Sequence, residues 1–426
     1  MIDDRIEIVR PVPRGVRICA IVTVLLTVLL LALGGFVTSF RVGMADPVWP
    51  TEPWYLLDKD WTSLEVGFLL EHTHRLAGWL VGGAATVFAV WAWLSEPNKR
   101  LRWVGLGTVV LLLISYGEFH RGMGKVWHSI QETARAQKQL DPKQRDYEQR
   151  IVESQLLNHV TNWPVAQGVA TGALAIGVLL ISGVAAGTGT AGGWVRGAAG
   201  VGLVFVMAQG LLGGFRVFLN ALMGTNLAAI HGVFGQITFA TFIAAMVLAA
   251  PRRRNDSIPN ATRQSFARFA AFAVGLLVLQ LIWAVMVRHI GSVLAQRLHI
   301  LTAFALTGVL VWLSVRILSS PIVRAKFASG AYHLIIILAV QLVLGVEAYI
   351  GKFTTSGPQA FVLPIERVVK LQDALTRTGH QLIGAGLLAA TVALAVRLGR
   401  PPLPNSDDEE TANLRDFRAS DLDANP

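Results

Sequence analysis

Residues 17–40 read RICAIVTVLLTVLLLALGGFVTSF, an apolar run whose one charge is its first residue. At about 1.5 Å per residue, a helix of that length covers a bilayer core roughly 30 Å thick. Only helices and closed barrels satisfy the backbone there, and barrel strands alternate in polarity over roughly 10 residues. This run does not alternate, so it reads as a helical span. Nine similar runs follow at about 66–94, 101–117, 164–186, 196–218, 227–250, 267–288, 296–318, 331–351 and 376–397. The fold class is therefore all-α integral membrane, embedded in the lipid bilayer, with about ten spans.

Composition agrees. The 426 residues are 53% hydrophobic and 15% charged, against roughly 25% charged in soluble domains. The formal charge of +10 would point a soluble chain towards nucleic acid. Here the cations sit in short loops at 95–102, 251–264 and 316–329, which puts those loops and both termini in the cytoplasm and excludes a nucleic-acid partner. The loop at 41–65, with five acids and two basic residues, belongs outside. Cys19, the sole cysteine, excludes an intrachain disulfide and argues against a cysteine-based metal centre. Arg5, Arg10, Arg14 and Arg17 precede the first run without a small-residue cleavage site, so that run reads as a retained span.

Residues 118–163 are highly charged and predict an amphipathic or solvated outer helix. The shortness of 101–117 leaves a nine-span alternative, which would invert every later span and lose the basic-inside pattern. The organisation is then a first hairpin in 1–100, an insertion in 101–195 with two extra spans and a polar outer segment, and a second hairpin in 196–264. A C-terminal four-helix bundle follows in 265–400, and an acidic tail, expected to be disordered, in 401–426.

An internal repeat carries the chemistry. His74, His231, His299 and His380 each lie a few residues inside a span that begins on the outer side, about 4–12 Å below its start. One turn further in, on the same face, follow Gly78, Gly235, Ala303 and Gly384. Each preceding span ends with small residues and a cation: Gly34, Gly35 and Arg41; Gly213, Gly214 and Arg216; Ala284 and Arg288; Gly345 and Lys352. One helix hairpin has been used four times, as two pairs. Paired imidazoles at one depth suit axial ligation of heme iron. A small residue below each ligand leaves room for the ring edge, and Arg216, Arg288, Lys352 and Arg75 are candidate propionate contacts. Taken singly, such histidines are also interhelical hydrogen-bond donors, the glycines packing residues and the cations interfacial anchors. The remaining histidines lack the pattern. His72 and His289 read as interfacial, His333 as the inner end of a span, and His120, His128 and His159 as loop or interface residues.

Glu71 breaks the symmetry. It stands three residues before His74, where the other units have Ala228, Gln296 and Arg377. A carboxylate at a membrane edge is a functional candidate; the structural alternative is an i,i+4 pair with Arg75. Glu347 reads as a second edge acid, paired with Lys352 or another cation.

Together these stretches resemble the heme A synthase family. The resemblance rests on VGMADPVWPT at 42–51, EHTHR at 71–75, AQGLLGG at 208–214, His231, VQLVLG at 340–345 and TGHQ at 378–381. The first outer loop lacks the cysteine pair of many members, so the chain is similar to the cysteine-free ones. The resemblance implies two pseudo-symmetric four-helix bundles and oxidation of the position-8 methyl of heme O to a formyl group by successive hydroxylations. It implies that His74 and His231 ligate the substrate heme O with Glu71 as the catalytic residue, and that His299 and His380 ligate a heme B cofactor. It further implies an oxidoreductase of a bacterial inner membrane, with oxygen, an unnamed electron donor and a heme O synthase as partners, and leaves homo-oligomerisation open. The alternative is a non-enzymatic bis-histidine diheme cytochrome, which needs the same four histidines but not Glu71.

Overall fold

The computed structural model describes residues 11–45, 65–136, 163–219, 223, 225–251, 258–353 and 369–400, without the side chains of 127–136, 163, 164, 218, 352 and 353. The Asp-Pro-x-Trp-Pro part of the first loop, most of the polar insertion and the acidic tail lie outside the described residues. Among the described residues ten helices are long and apolar enough to cross a membrane, and there is no strand. They are α1 (Arg14–Ser39), α2 (Val66–Leu94), α3 (Lys99–Ala136), α4 (Trp163–Gly187), α5 (Ala191–Phe218), α6 (Thr225–Ala249), α7 (Asn260–Val285), α8 (Val293–Ser319), α9 (Pro321–Phe353) and α10 (Leu371–Gly399). The protein is a multi-pass membrane protein, and the nine-span alternative is set aside: α3 is apolar over a window that fits a span.

Helices α1, α2, α5 and α6 close one four-membered ring, and α7 to α10 close a second. The rings meet where α10 lies against α1 and α6. Apolar side chains face outwards throughout, among them Leu25 on α1, Phe304 on α8 and Ile336 on α9, as lipid allows. Without a hydrophobic drive between helices in lipid, association rests on close packing and polar ties. Trp93, Phe88 and Phe242 fill the first ring and Leu310, Leu313 and Leu387 the second, all at 1% exposure or less.

Helices α3 and α4 stand outside the first ring, α4 against α5 and α3 against α4 and α2. The α4–α5 hairpin closes through small residues: a Cβ on Gly197 would come within 2.9 Å of the Ser182 carbonyl and 3.1 Å of Ala186 Cβ. Helix α3 is longer than the 101–117 run predicts, because Ser115, Phe119 and Met123, four residues apart, form a stripe that stays buried. Phe119 and Met123 pack against Leu211, Phe215 and Leu219 at the end of α5. The Ser115 hydroxyl lies 2.9 Å from Thr171 Oγ1 on α4. The polar face carries an exposed Glu118–Arg121 pair.

Polar staples close the end opposite the histidines. Arg196 Nη2 on α5 meets Glu96 Oε2 in the α2–α3 turn at 2.6 Å, with the two side chains 5% and 6% exposed. Arg102 Nε donates to the Glu96 carbonyl at 2.7 Å. Arg400, just beyond α10, donates to the carbonyls of Val247 and Leu248 at 2.6 and 2.8 Å, satisfying orphan acceptors at the end of α6.

Candidate heme sites

The four histidines lie on α2, α6, α8 and α10, all near the same end of the bundles. At about 1.5 Å per residue they stand roughly 9–14 Å from their helix starts, deeper than expected since α6, α8 and α10 begin earlier than the apolar runs. Three of the rings face a glycine on the preceding helix of the hairpin. A Cβ on Gly34 would lie 2.9 Å from His74 Cε1, one on Gly213 3.8 Å from His231 Cε1, and one on Gly345 3.0 Å from His380 Cε1. Those glycines are the space the imidazoles occupy.

The C-terminal pair is the more fully defined. The His299 and His380 ring centroids are 6.4 Å apart with planes at 79°. Metal–imidazole bonds of about 2.0 Å and a ring radius of about 1.1 Å put two trans imidazoles on one metal roughly 6 Å apart, centre to centre. His299 Nδ1 lies 3.3 Å from the Gln280 carbonyl. An imidazole N–H directed at a backbone carbonyl fixes the tautomer and leaves Nε2 for a metal. His74 and His380 lie near the backbone at the corresponding positions, Leu30 and Gln341, but without a hydrogen bond at Nδ1.

Glutamines missed from the sequence complete the pattern. Gln280 Nε2 donates to the His299 carbonyl at 2.9 Å, and its Oε1 accepts from Thr302 Oγ1. Gln341 Nε2 lies 3.4 Å from His380 Nε2, and Gln209 Nε2 donates to the His231 carbonyl at 3.0 Å. All three stand four residues before a small residue of the same helix: Gln209 and Gly213, Gln280 and Ala284, Gln341 and Gly345, of which Gly213 and Gly345 face a histidine ring. That spacing was the available signal. The first hairpin has Leu30 in this position, and correspondingly a Cβ on Gly78 would meet nothing within 4 Å, where one on Gly235 or Gly384 would meet a glutamine amide.

Charge gathers above the N-terminal pair. Glu71 is 4% exposed, and its Oε1 accepts from Arg75 Nη2 at 2.7 Å, so the i,i+4 pair exists. Arg216 from α5 lies within electrostatic reach of Glu71, Arg75, His74 and His231. Its guanidinium packs on Gly43, where a Cβ would sit 3.0 Å from Cζ. Among the described side chains this cluster sets two guanidinium groups beside one carboxylate, a balance that an anionic propionate suits. Arg288 instead lies between the two bundles, donating to Gln381 and α1. The Lys352 side chain lies outside the described ones, and Glu347 is exposed.

Three other histidines differ from the sequence reading. His72 is wholly buried rather than interfacial, stacked on Phe68 with centroids 5.6 Å apart. His120 lies within α3, its ring 5.7 Å from Trp79 and 5.9 Å from Tyr116, because α3 outruns its apolar stretch. His289 faces the α6 backbone, its Nε2 3.8 Å from the place of a Gly232 Cβ.

The residues present fit a heme. His74, His231 and His380 each keep a buried Nδ1 with no hydrogen-bond partner. Among the described residues no three His, Cys, Asp or Glu side chains cluster as a metal site, whereas a porphyrin iron takes only axial ligands from protein. Residues 7–133 match the model of the COX15-CtaA family, described as cytochrome oxidase assembly protein. The COX15-CtaA match takes in α1, α2 and most of α3, including Glu71, His74 and Arg75. It thus runs into the 101–195 stretch read as an insertion, and the position of α3 outside the first ring is visible only in the packing. No curated protein and no solved structure matches the chain.

Proposed function

We propose that this protein is a heme A synthase of a bacterial inner membrane, with both termini in the cytoplasm, oxidising the position-8 methyl of heme O to a formyl group. The observation that carries this reading is the asymmetry between two otherwise similar histidine pairs, in a chain whose residues 7–133 match the COX15-CtaA model. Among the described residues, a buried carboxylate ion-paired with an arginine, Glu71 with Arg75, stands beside the N-terminal pair, with Arg216 in reach.

In this reading His74 and His231 hold the substrate heme O, and His299 and His380 hold heme B. The bound heme B supplies one-electron chemistry, fed by a donor outside the chain. Two hydroxylations of the methyl carbon, with oxygen and electrons supplied, give a geminal diol, which loses water to leave the formyl group. Glu71 does not itself abstract hydrogen from an unactivated methyl. It holds a proton or a water at the reacting edge, oriented by Arg75. Arg75 and Arg216 bind a propionate, and the packing of α1 and α5 on the histidine rings fixes the imidazoles.

The test is mass analysis of hemes extracted from cells that express the chain and make heme O. The wild type should yield heme A or its hydroxylated precursor, and Glu71→Ala should retain heme but yield neither. Unchanged conversion by Glu71→Ala removes the assignment of Glu71. Tightly bound heme B with heme O untouched in a competent redox background favours the diheme cytochrome.

A further inference from the structure

Helix α7 does not end as an α-helix. Met286–Ile290 form a π-helical turn, closed by Gly291 at φ 73°. Such turns insert a residue into the helical ladder and re-aim the side chains around it. Here the turn carries Arg288 and His289, and both reach across the seam to the other bundle.

Arg288 Nη2 donates to the Gly35 carbonyl at 3.0 Å and to Ser39 Oγ at 2.8 Å, both on α1. Its Nη1 donates to Gln381 Oε1 on α10. Ser39 Oγ and Thr378 Oγ1 lie 3.0 Å apart, joining α1 directly to α10. The approach needs Gly35, where a Cβ would sit 2.7 Å from the Thr378 methyl. His289 meets the other α-helix of the N-terminal bundle beside Gly232, the residue after His231.

These contacts fall next to ligand positions on both sides. Gly34, the neighbour of Gly35, is the residue against which the His74 ring packs. Gln381 is the neighbour of His380. A continuous line therefore runs from the His74 ring through Gly34 and the Gly35 carbonyl to Arg288, and on through Gln381 to His380.

We infer that Arg288 is a positioning residue that locks the His74 and His380 sites into one fixed relation, with the π-turn as the device that delivers it. This deepens the heme reading and rests on it for its consequence, but the lock itself is a property of the protein alone. A guanidinium with three protein acceptors is tied in place, and a carbonyl, a hydroxyl and an amide oxygen are satisfied by one side chain. Removing it takes this donor from Gln381 Oε1 on one bundle and from the Gly35 carbonyl and Ser39 Oγ on the other.

The experiment is a double-variant cycle on the full chain in detergent, without and then with heme. In the heme-free chain, Arg288→Gln and Ser39→Ala should each destabilise the fold, and the double variant should lose less than the sum of the two, keeping only the separate loss of the Ser39–Thr378 contact. The coupling should be about tenfold or more in the folding equilibrium, as for hydrogen bonds to charged groups. Strict additivity overturns the lock and leaves Arg288 as a propionate ligand, whose effect appears only with heme. Should Arg288→Gln fail to fold, Arg288→Lys with Ser39→Ala and Gln381→Leu provides the same cycle from the acceptor side. In the loaded protein, Arg288→Gln should keep its heme stoichiometry. It should shift the electron paramagnetic resonance signature of the His299–His380 heme and slow electron equilibration between the hemes at least tenfold, with partial rescue by Arg288→Lys. Unchanged signatures and rates overturn the inference that the lock positions the ligands. A wild type that takes up no heme refutes the heme reading, while the heme-free cycle still decides the lock.

Discussion

Gly78 offers a perturbation with opposite signs in two states of one protein. It lies one turn below His74, and a Cβ there would meet no atom within 4 Å. In the heme-free chain, Gly78→Ala fills open space, adds a better helix former and restricts the unfolded chain. It should stabilise α2 by about 0.5–1 kcal/mol. If the porphyrin edge passes this glycine, the same methyl overpacks the loaded site and costs about 1–3 kcal/mol. Every 1.4 kcal/mol is tenfold, so affinity for the N-terminal heme should fall roughly 5- to 150-fold. Gly345→Ala is the contrast. Its Cβ would lie 3.0 Å from His380 Cε1 whether or not heme is present, so the ring must shift in both states. The assay is thermal denaturation of heme-free protein beside optical titration of heme into the same samples. A Gly78→Ala chain with wild-type heme affinity would refute the placement of the macrocycle below His74. A heme-free chain that Gly78→Ala destabilises would show that the space is not open.

Three further outcomes follow from the packing. Gln341→Leu should remove the amide beside His380 and weaken retention of the C-terminal heme about 10- to 100-fold; retention equal to wild type, read from the absorption spectrum, counts against the glutamine repeat. Replacing His299 or His380 by Ala should abolish the stable heme spectrum, and a spectrum that survives both changes refutes the cofactor pair. Arg196→Met should cost about 3–5 kcal/mol by stranding the buried Glu96, whereas Glu96→Leu with Arg196→Met should recover most of it; equal denaturation midpoints for the single and double variants would remove the pair as a staple.

The ten spans were legible because bilayer thickness imposes one length on every helix, and the runs at 17–40 and 66–94 differ from α1 and α2 by three residues or fewer at each end. The histidine repeat was legible because spacing survives in a single chain. The end of α3 was not. A window tuned to apolar residues stops where Glu118 and Arg121 begin, while the Ser115, Phe119 and Met123 stripe continues on the other face. The role of Arg288 was hidden for another reason. Its acceptors at 35, 39 and 381 are far away in sequence, and the π-turn that aims it leaves no local signature. The glutamines were visible as letters, but glutamine in a span reads first as an interhelical tie. Only the repeated approach to histidine distinguishes them. His72 shows the converse error, since adjacency to a loop suggested exposure and packing on Phe68 denied it.

The position of α3 and α4 has a consequence for traffic through the bilayer. The second bundle lies along α1 and α6, α4 lies along α5, and α3 lies against α4 and α2. Among the described residues, an apolar flank of the first bundle is formed by Ile18, Leu25 and Leu29 of α1 with Leu80 and Val87 of α2. A hydrophobic molecule dissolved in the membrane therefore meets this bundle on the α1–α2 side, the hairpin that carries both Gly34 and His74. The added helices take one flank of the ring out of the lipid and leave this apolar one facing it.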